Sequence, residues 1–176
     1  ATILGTIQST LTNFNYISKE WKNNCEEERL LGVSLTGIMD SAILNNPEDP
    51  NLPGLLERLR EHAVKINTKF AKEIGINPSV AITCVKPSGT VSQLVDSASG
   101  IHARHSEYYV RTVRADKKDP LCQLMKDMGF PWEPCVMKPD NVVVFSFPIK
   151  APDGAIVRKN LTAIEQLKMW LVYQRH

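Results

Sequence analysis

The sequence predicts an α/β fold, and three observations carry the prediction. Residues 54–74 set Leu55, Leu56, Leu59, Ala63, Ile66, Phe70 and Ile74 along one helical face. Directly after them, Ser79-Val-Ala-Ile-Thr-Cys-Val85 is a short, apolar and largely β-branched run, which reads as a strand covered on both faces. Further on, two strand-like runs, 108–115 and 141–147, flank a capped helix. Helix followed by buried strand is the rhythm of a parallel sheet with helical crossovers. A chain of 176 residues that is 43% hydrophobic can bury one core. Neither a repeat nor a linker divides it, so residues 1–176 read as a single segment.

The elements follow in order. Residues 1–12, rich in Thr and Ile, suit a helix or a strand, and periodicity does not decide between them. Within 26–44, Leu30, Leu31, Leu35, Ile38 and Met39 are helically spaced, although Gly32 and Gly37 weaken a helix there. Pro47, Pro50 and Pro53 make 45–53 a loop. Gly75 is placed to cap the helix that precedes it. Asp119-Pro120 is a helix start. Pro152-Asp-Gly154 is a turn, expected to fold 148–157 into a hairpin. Thr162-Ala-Ile-Glu165 is a capping box, opening a final helix expected to carry Ile164, Leu167, Trp170 and Leu171 inward.

Composition excludes several classes. Twenty-one basic against 19 acidic residues leave a net charge of +2, far from a dedicated nucleic-acid binder, and no direct nucleic-acid binding is expected. No apolar stretch is long enough to span a bilayer, so no membrane partner is expected. The first residues carry no basic region before an apolar run and no initiator Met, which suggests a start inside a longer polypeptide and a cytoplasmic setting. Cys25, Cys84, Cys122 and Cys135 stand too far apart for a structural zinc site and read as reduced, mostly buried thiols. No metal site is expected.

The segment that carries chemistry is Cys84-Val-Lys-Pro-Ser-Gly-Thr-Val-Ser92. Pro87 stops the strand and Gly89 permits close approach of a ligand to the backbone. Ser88, Thr90 and Ser92 supply hydroxyls, and a helix can open at Val91, where free amides carry partial positive charge. Such a loop binds phosphate without a metal. Pro-Ser-Gly-Thr is also an ordinary turn, so the pattern alone leaves both readings open. His102, Arg104 and His105 lie close together, with Arg111 and Arg114 beyond them. Strand alternation sends Arg111 and Arg114 to opposite faces, so they do not share an anion. His102 stays open between an acid–base and a structural role. Glu26, Glu27 and Glu28 spread around a helix as a solvated face. Cys84, within a buried strand, reads as inert.

Taken together, Glu28-Arg-Leu-Leu-Gly-Val-Ser-Leu-Thr-Gly-Ile-Met-Asp40, Cys84 to Ser92, Gly100-Ile-His102 with Tyr108-Tyr-Val-Arg111, and Ala163-Ile-Glu-Gln-Leu167 resemble, in that order, the adenosylcobalamin-dependent ribonucleoside-triphosphate reductases. The resemblance extends over nearly the whole chain. It implies a portion of a ten-stranded α/β barrel, its second half, with Pro87, Ser88, Gly89, Thr90, Val91 and Ser92 binding the substrate phosphates and His102 near the barrel mouth. It also implies a ribonucleoside triphosphate substrate, adenosylcobalamin, an N-terminal remainder of the enzyme, and an external dithiol reductant such as thioredoxin.

The chain departs from that family where the radical chemistry sits. The family's Asn-Pro-Cys-x-Glu motif is absent: Asn46-Pro47 is followed by Glu48 and Asn77-Pro78 by Ser79. None of the four cysteines matches the radical cysteine or its redox partners, so no catalytic residue is identified in this segment. Two other readings stand beside this one. The first is a non-catalytic nucleotide- or phosphate-binding module on the same scaffold, the second a related reductase with a separate radical-generating subunit.

Overall fold

A computed structural model describes residues 1–176, which group into two compact units. One comprises 1–104 with 154–176; the other is 105–153. The second holds an antiparallel sheet with a small core of its own, which is why it separates.

In the first unit, α1 (Thr2–Gln8) settles the ambiguous N-terminal stretch as a helix. The next helix, α2 (Lys19–Glu28), starts where the Ser18 hydroxyl accepts the Trp21 amide and stops at Arg29 in the left-handed region. The helical spacing of 30–39 is not realised. Residues 30–36 are extended, and a single 3-10 turn covers Ile38–Asp40 after Gly37, whose φ of 71° only glycine adopts readily. Tertiary pairing overrides the apolar spacing here: the Leu31 and Val33 amides donate to Ala81 and Ile82, and the Cys84 amide returns to Val33.

The long helix is α3 (Leu52–Ile74), closed by Gly75 at φ 75° as the sequence indicated. Its buried stripe is Leu52, Leu56, Ala63, Asn67 and Ala71, while Leu59 and Ile74 are exposed. Asn67 is fully buried and satisfied, bonding the Thr6 hydroxyl at 2.9 Å, the Ser79 hydroxyl at 3.0 Å and the Ser79 amide at 2.8 Å. One polar side chain thus ties α1, α3 and the start of the next segment together.

The expected buried strand 79–85 forms only one parallel bridge, Val33 to Thr83. Ile82 is buried, but Val80 is 74% exposed and Cys84 is exposed too. A parallel strand needs neighbours on both edges and cover on both faces, and here the segment has one neighbour. A short helix, α4 (Val91–Leu94), follows the loop.

The unit closes with α6 (Ala163–Arg175). Both halves of the capping box are made: Glu165 accepts the Thr162 amide at 2.7 Å, and the Thr162 hydroxyl accepts the Glu165 amide. The inward face differs from the one expected. Ile164, Leu167, Trp170 and Leu171 are exposed, whereas Met169 and Tyr173 are buried in a core with Ile38, Met39, Leu52, Leu56, Ala98 and Ile101. Spacing alone does not choose between two apolar stripes on one helix. The Tyr173 hydroxyl decides for its own stripe by donating to the Leu44 carbonyl at 2.8 Å.

The second unit contains β1 (Tyr108–Asp116), α5 (Pro120–Asp127, capped by Asp119), β2 (Trp132–Pro134) and β3 (Val142–Lys150). The sheet is antiparallel in the order β1-β3-β2. Val143 and Phe145 bury one face with Cys122 of α5. Arg111 pairs with Phe147 and Arg114 with Val144, so the two arginines do point to opposite faces. β3 continues past Phe147, tolerating Pro148 where β2 no longer pairs with it.

The hairpin expected over 148–157 is not formed. Instead Val157 makes a parallel bridge to Arg104 within the first unit. Parallel pairing in the chain is confined to isolated bridges, and the one laddered sheet is antiparallel.

Candidate functional site

Pro87 to Ser92 lies between the extended segment that ends at Lys86 and α4. The backbone amides of Ser88, Gly89, Thr90 and Val91 donate to no other backbone group. A side chain at Gly89 would meet nothing within 4 Å, so the space beside this turn is open. Gly89, Thr90 and Val91 are exposed, Ser88 is half-buried, and the Ser92 side chain is fully buried. The loop therefore offers amides without backbone partners and the exposed Thr90, while Ser92 belongs to the packing beneath.

Two other segments hold this turn, one at Thr36 and one at 98–100. The Ser88 hydroxyl lies 3.1 Å from the Thr36 hydroxyl, and Ser99 donates to the Ser88 carbonyl. Thr36 also donates to the Ala98 carbonyl at 3.0 Å and accepts the Gly100 amide at 3.2 Å. Gly100 then presses directly on the start of the loop. At φ +54° an added Cβ would stand 2.7 Å from the Lys86 carbonyl oxygen and 2.9 Å from Pro87 Cα. Only glycine permits that contact.

Beneath these contacts sits an ion pair. Arg104, its side chain 2% exposed, donates from Nε and from one terminal nitrogen to the two oxygens of Asp40, each at 2.9 Å. It reaches the Asp96 carboxylate at 3.2 Å and the Asp96 carbonyl at 2.6 Å. Asp40 also accepts the Ala98 amide at 2.7 Å. Fork-to-carboxylate geometry of this kind is both strong and directional. Arg104 is therefore committed to carboxylates and is not an anion ligand.

The other sequence candidates fall elsewhere. His102 is exposed on a turn, its amide bonded to the Ser99 carbonyl at 2.9 Å. His105 lies in the second unit, edge-on to Tyr109 at 6.1 Å. Cys84, expected to be buried, is exposed and lines a cleft of about 460 Å³ with Val33, Leu35, Leu56, Lys86 and Ile101. All four cysteines are free thiols, Cys122 and Cys135 buried and Cys25 half-buried. Backbone amides of Lys138 and Met137, with Arg114, hold the Cys135 thiol below its usual range. No cluster of His, Cys, Asp or Glu is arranged to hold a metal ion.

Sequence reasoning missed Thr36 and Asp40. A buried arginine demands a carboxylate, but nothing in the spacing says that the carboxylate lies 64 positions away.

No protein-family model matches the chain. Among curated proteins it is 28% identical over 159 residues to the adenosylcobalamin-dependent ribonucleoside-triphosphate reductase of Euglena gracilis, covering 89% of the chain and 22% of that protein. The chain is homologous to these reductases. The enzyme of the same name from Lactobacillus gasseri is 30% identical over 151 residues, and a probable one from Dictyostelium discoideum is 30% identical over 155. These matches cover 73% and 84% of the chain but 20% and 19% of the relatives, so the chain spans about one fifth of the reductases it matches. Its fold matches part of a crystal structure of a B12-dependent (class II) ribonucleotide reductase. The TM-score is 0.75 at 24% identity, over 98% of this chain and 28% of that one.

Proposed function

We propose that this chain is part of a ribonucleotide reductase and that its loop Pro87 to Ser92 binds the substrate phosphates. In this reading the chain is a portion of the ten-stranded catalytic barrel. The complete enzyme, working in the cytoplasm, converts ribonucleoside triphosphates to deoxyribonucleotides through a thiyl radical, with adenosylcobalamin as cofactor and a dithiol protein such as thioredoxin as reductant. The observation that carries the loop's role is the run of amides without backbone partners from Ser88 to Val91, with open space at Gly89. Backbone N–H groups that converge on one point stabilise an anion without side-chain charge. Similarity to reductases named for ribonucleoside triphosphates supports the choice of anion.

Within the loop the residues divide the work. The amides of Ser88 to Val91 face the phosphate, the Thr90 hydroxyl adds a donor, and Pro87 and Ser92 fix the two ends. His102, exposed on the turn beside Gly100, borders the same region of the chain.

The residues present do not fit a corrin. The cleft of about 460 Å³ that Cys84 lines suits a small ligand rather than a corrin ring with its side chains. Cobalamin therefore belongs, in this reading, to the remainder of the enzyme. The Asn-Pro-Cys-x-Glu segment does so equally, since it is absent here.

The test is deoxyribonucleotide formation from a ribonucleoside triphosphate with adenosylcobalamin and a dithiol. The chain alone is expected to form no product, and a polypeptide bearing the missing cysteine segment is expected to restore turnover. Turnover by the chain alone would overturn the assignment of its chemistry to the remainder.

A further inference from the structure

We propose that Thr36 is the positioning residue of the phosphate loop: it accepts the Ser88 hydroxyl proton, turning that side chain inward and leaving the anion to the loop amides. The proposal rests on the phosphate-binding reading of the loop and adds a residue to it.

A threonine hydroxyl has one proton and two acceptor sites. The Thr36 oxygen has four neighbours at bonding distance: the Ala98 carbonyl at 3.0 Å, the Gly100 amide at 3.2 Å, and the hydroxyls of Ser88 at 3.1 Å and Ser97 at 3.4 Å. A carbonyl only accepts, so the Thr36 proton goes to Ala98. An amide only donates, so Gly100 takes one of the two acceptor sites. One site remains for the two serines. Ser97 has another acceptor, the Ser92 carbonyl at 3.5 Å, and is the more distant of the two. The Ser88 hydroxyl has no other hydrogen-bond partner and is nearer, so the remaining site is filled by its O–H.

The consequence reaches the site. Ser88 is held by its side chain through Thr36 and by its carbonyl through Ser99. Both bonds lie on the protein side of the turn, and the amides from Ser88 to Val91 are left without backbone partners. The same Thr36 oxygen receives Gly100, whose backbone touches Lys86 and Pro87. One hydroxyl thus fixes both the start and the crown of the loop before any anion arrives. Ordering the amides in advance removes an entropic cost from binding.

Inorganic tripolyphosphate is the probe, with its affinity measured by calorimetry on the unsubstituted protein and on Thr36→Val, Thr36→Ser, Ser88→Ala and the double variant Thr36→Val/Ser88→Ala. Thr36→Val, which keeps shape and loses both bonding roles, is expected to weaken binding about tenfold, the weight of one lost hydrogen bond of this kind. Thr36→Ser is expected to restore affinity to within about twofold, a rescue that a purely packing role of the methyl group would not give. Ser88→Ala removes the same bond from its other end, so the double variant is expected to bind no more weakly than Thr36→Val.

Hydrogen exchange without ligand supplies a readout independent of affinity: Thr36→Val should lose protection at Gly100 and across 88–91, and Thr36→Ser should keep it. Multiplying losses in the double variant, or unchanged affinity and exchange in Thr36→Val, would overturn the proposal. Failure of the unsubstituted protein to bind tripolyphosphate would overturn the loop reading itself and this proposal with it.

Discussion

Replacing Asp40 by Ala tests what holds the loop region together. The substitution removes the carboxylate that receives two Arg104 donors at 2.9 Å and the Ala98 amide at 2.7 Å. The guanidinium keeps Asp96, but that side chain is 75% exposed and its interaction is correspondingly screened. Breaking a buried pair from one side costs about 3–5 kcal/mol, because the remaining charge stays desolvated. The Asp40 side chain retains 13% exposure and lets some water in, which places the expected loss at the lower end, about 3 kcal/mol. Against a total stability of about 5–15 kcal/mol this is a large fraction, and the melting temperature should fall by roughly 10 °C. The assay is equilibrium urea unfolding of the single variant, of Arg104→Met, and of the two combined. Removing both partners should cost clearly less than the sum of the single losses. A loss below about 1 kcal/mol for Asp40→Ala, or additive losses in the combined variant, would refute the reasoning.

Gly100→Ala forces a Cβ to 2.7 Å from the Lys86 carbonyl oxygen at a left-handed φ, and should cost about 1–3 kcal/mol in thermal melting while weakening phosphate binding. A silent substitution would show that the contact with the loop is not needed. Asn67→Leu keeps volume but leaves the Ser79 amide without its acceptor and takes a donor from the Thr6 and Ser79 hydroxyls, so urea unfolding should register a loss of about 2 kcal/mol; no change would mean that water replaces these bonds. Alkylation of the native protein, followed by mass spectrometry, should label Cys84 well before Cys122, which is 1% exposed, and all four thiols should react after denaturation without reductant. Equal native rates for Cys84 and Cys122 would contradict the packing described.

What the sequence made legible was local. The capping box at Thr162, the Asp119-Pro120 start, the Gly75 stop and the alternation of β1 each depend on neighbours a few positions apart, and each is present. What it concealed depends on distant partners. Residues 30–39 have helical spacing, yet 30–36 are extended, with Leu31 and Val33 bonded to 81–84, and the 79–85 run has strand composition yet only one neighbour to pair with. On α6, two apolar stripes compete, and a bond from Tyr173 to Leu44, 129 positions away, selects the one that is buried. The loop at Ser88 to Val91 was legible as a turn with free amides. Its supports Thr36, Asp40 and Gly100 were not, because hydroxyls, carboxylates and glycines become informative only once the fold brings them together.

The central claim, that Pro87 to Ser92 receives the phosphates of a ribonucleoside triphosphate, is tested most directly by hydrogen exchange read peptide by peptide, with and without that nucleotide. The account predicts that the largest gain in protection falls on the peptide carrying Ser88 to Val91. Protection gained elsewhere, with that peptide unchanged at saturating nucleotide, would contradict it.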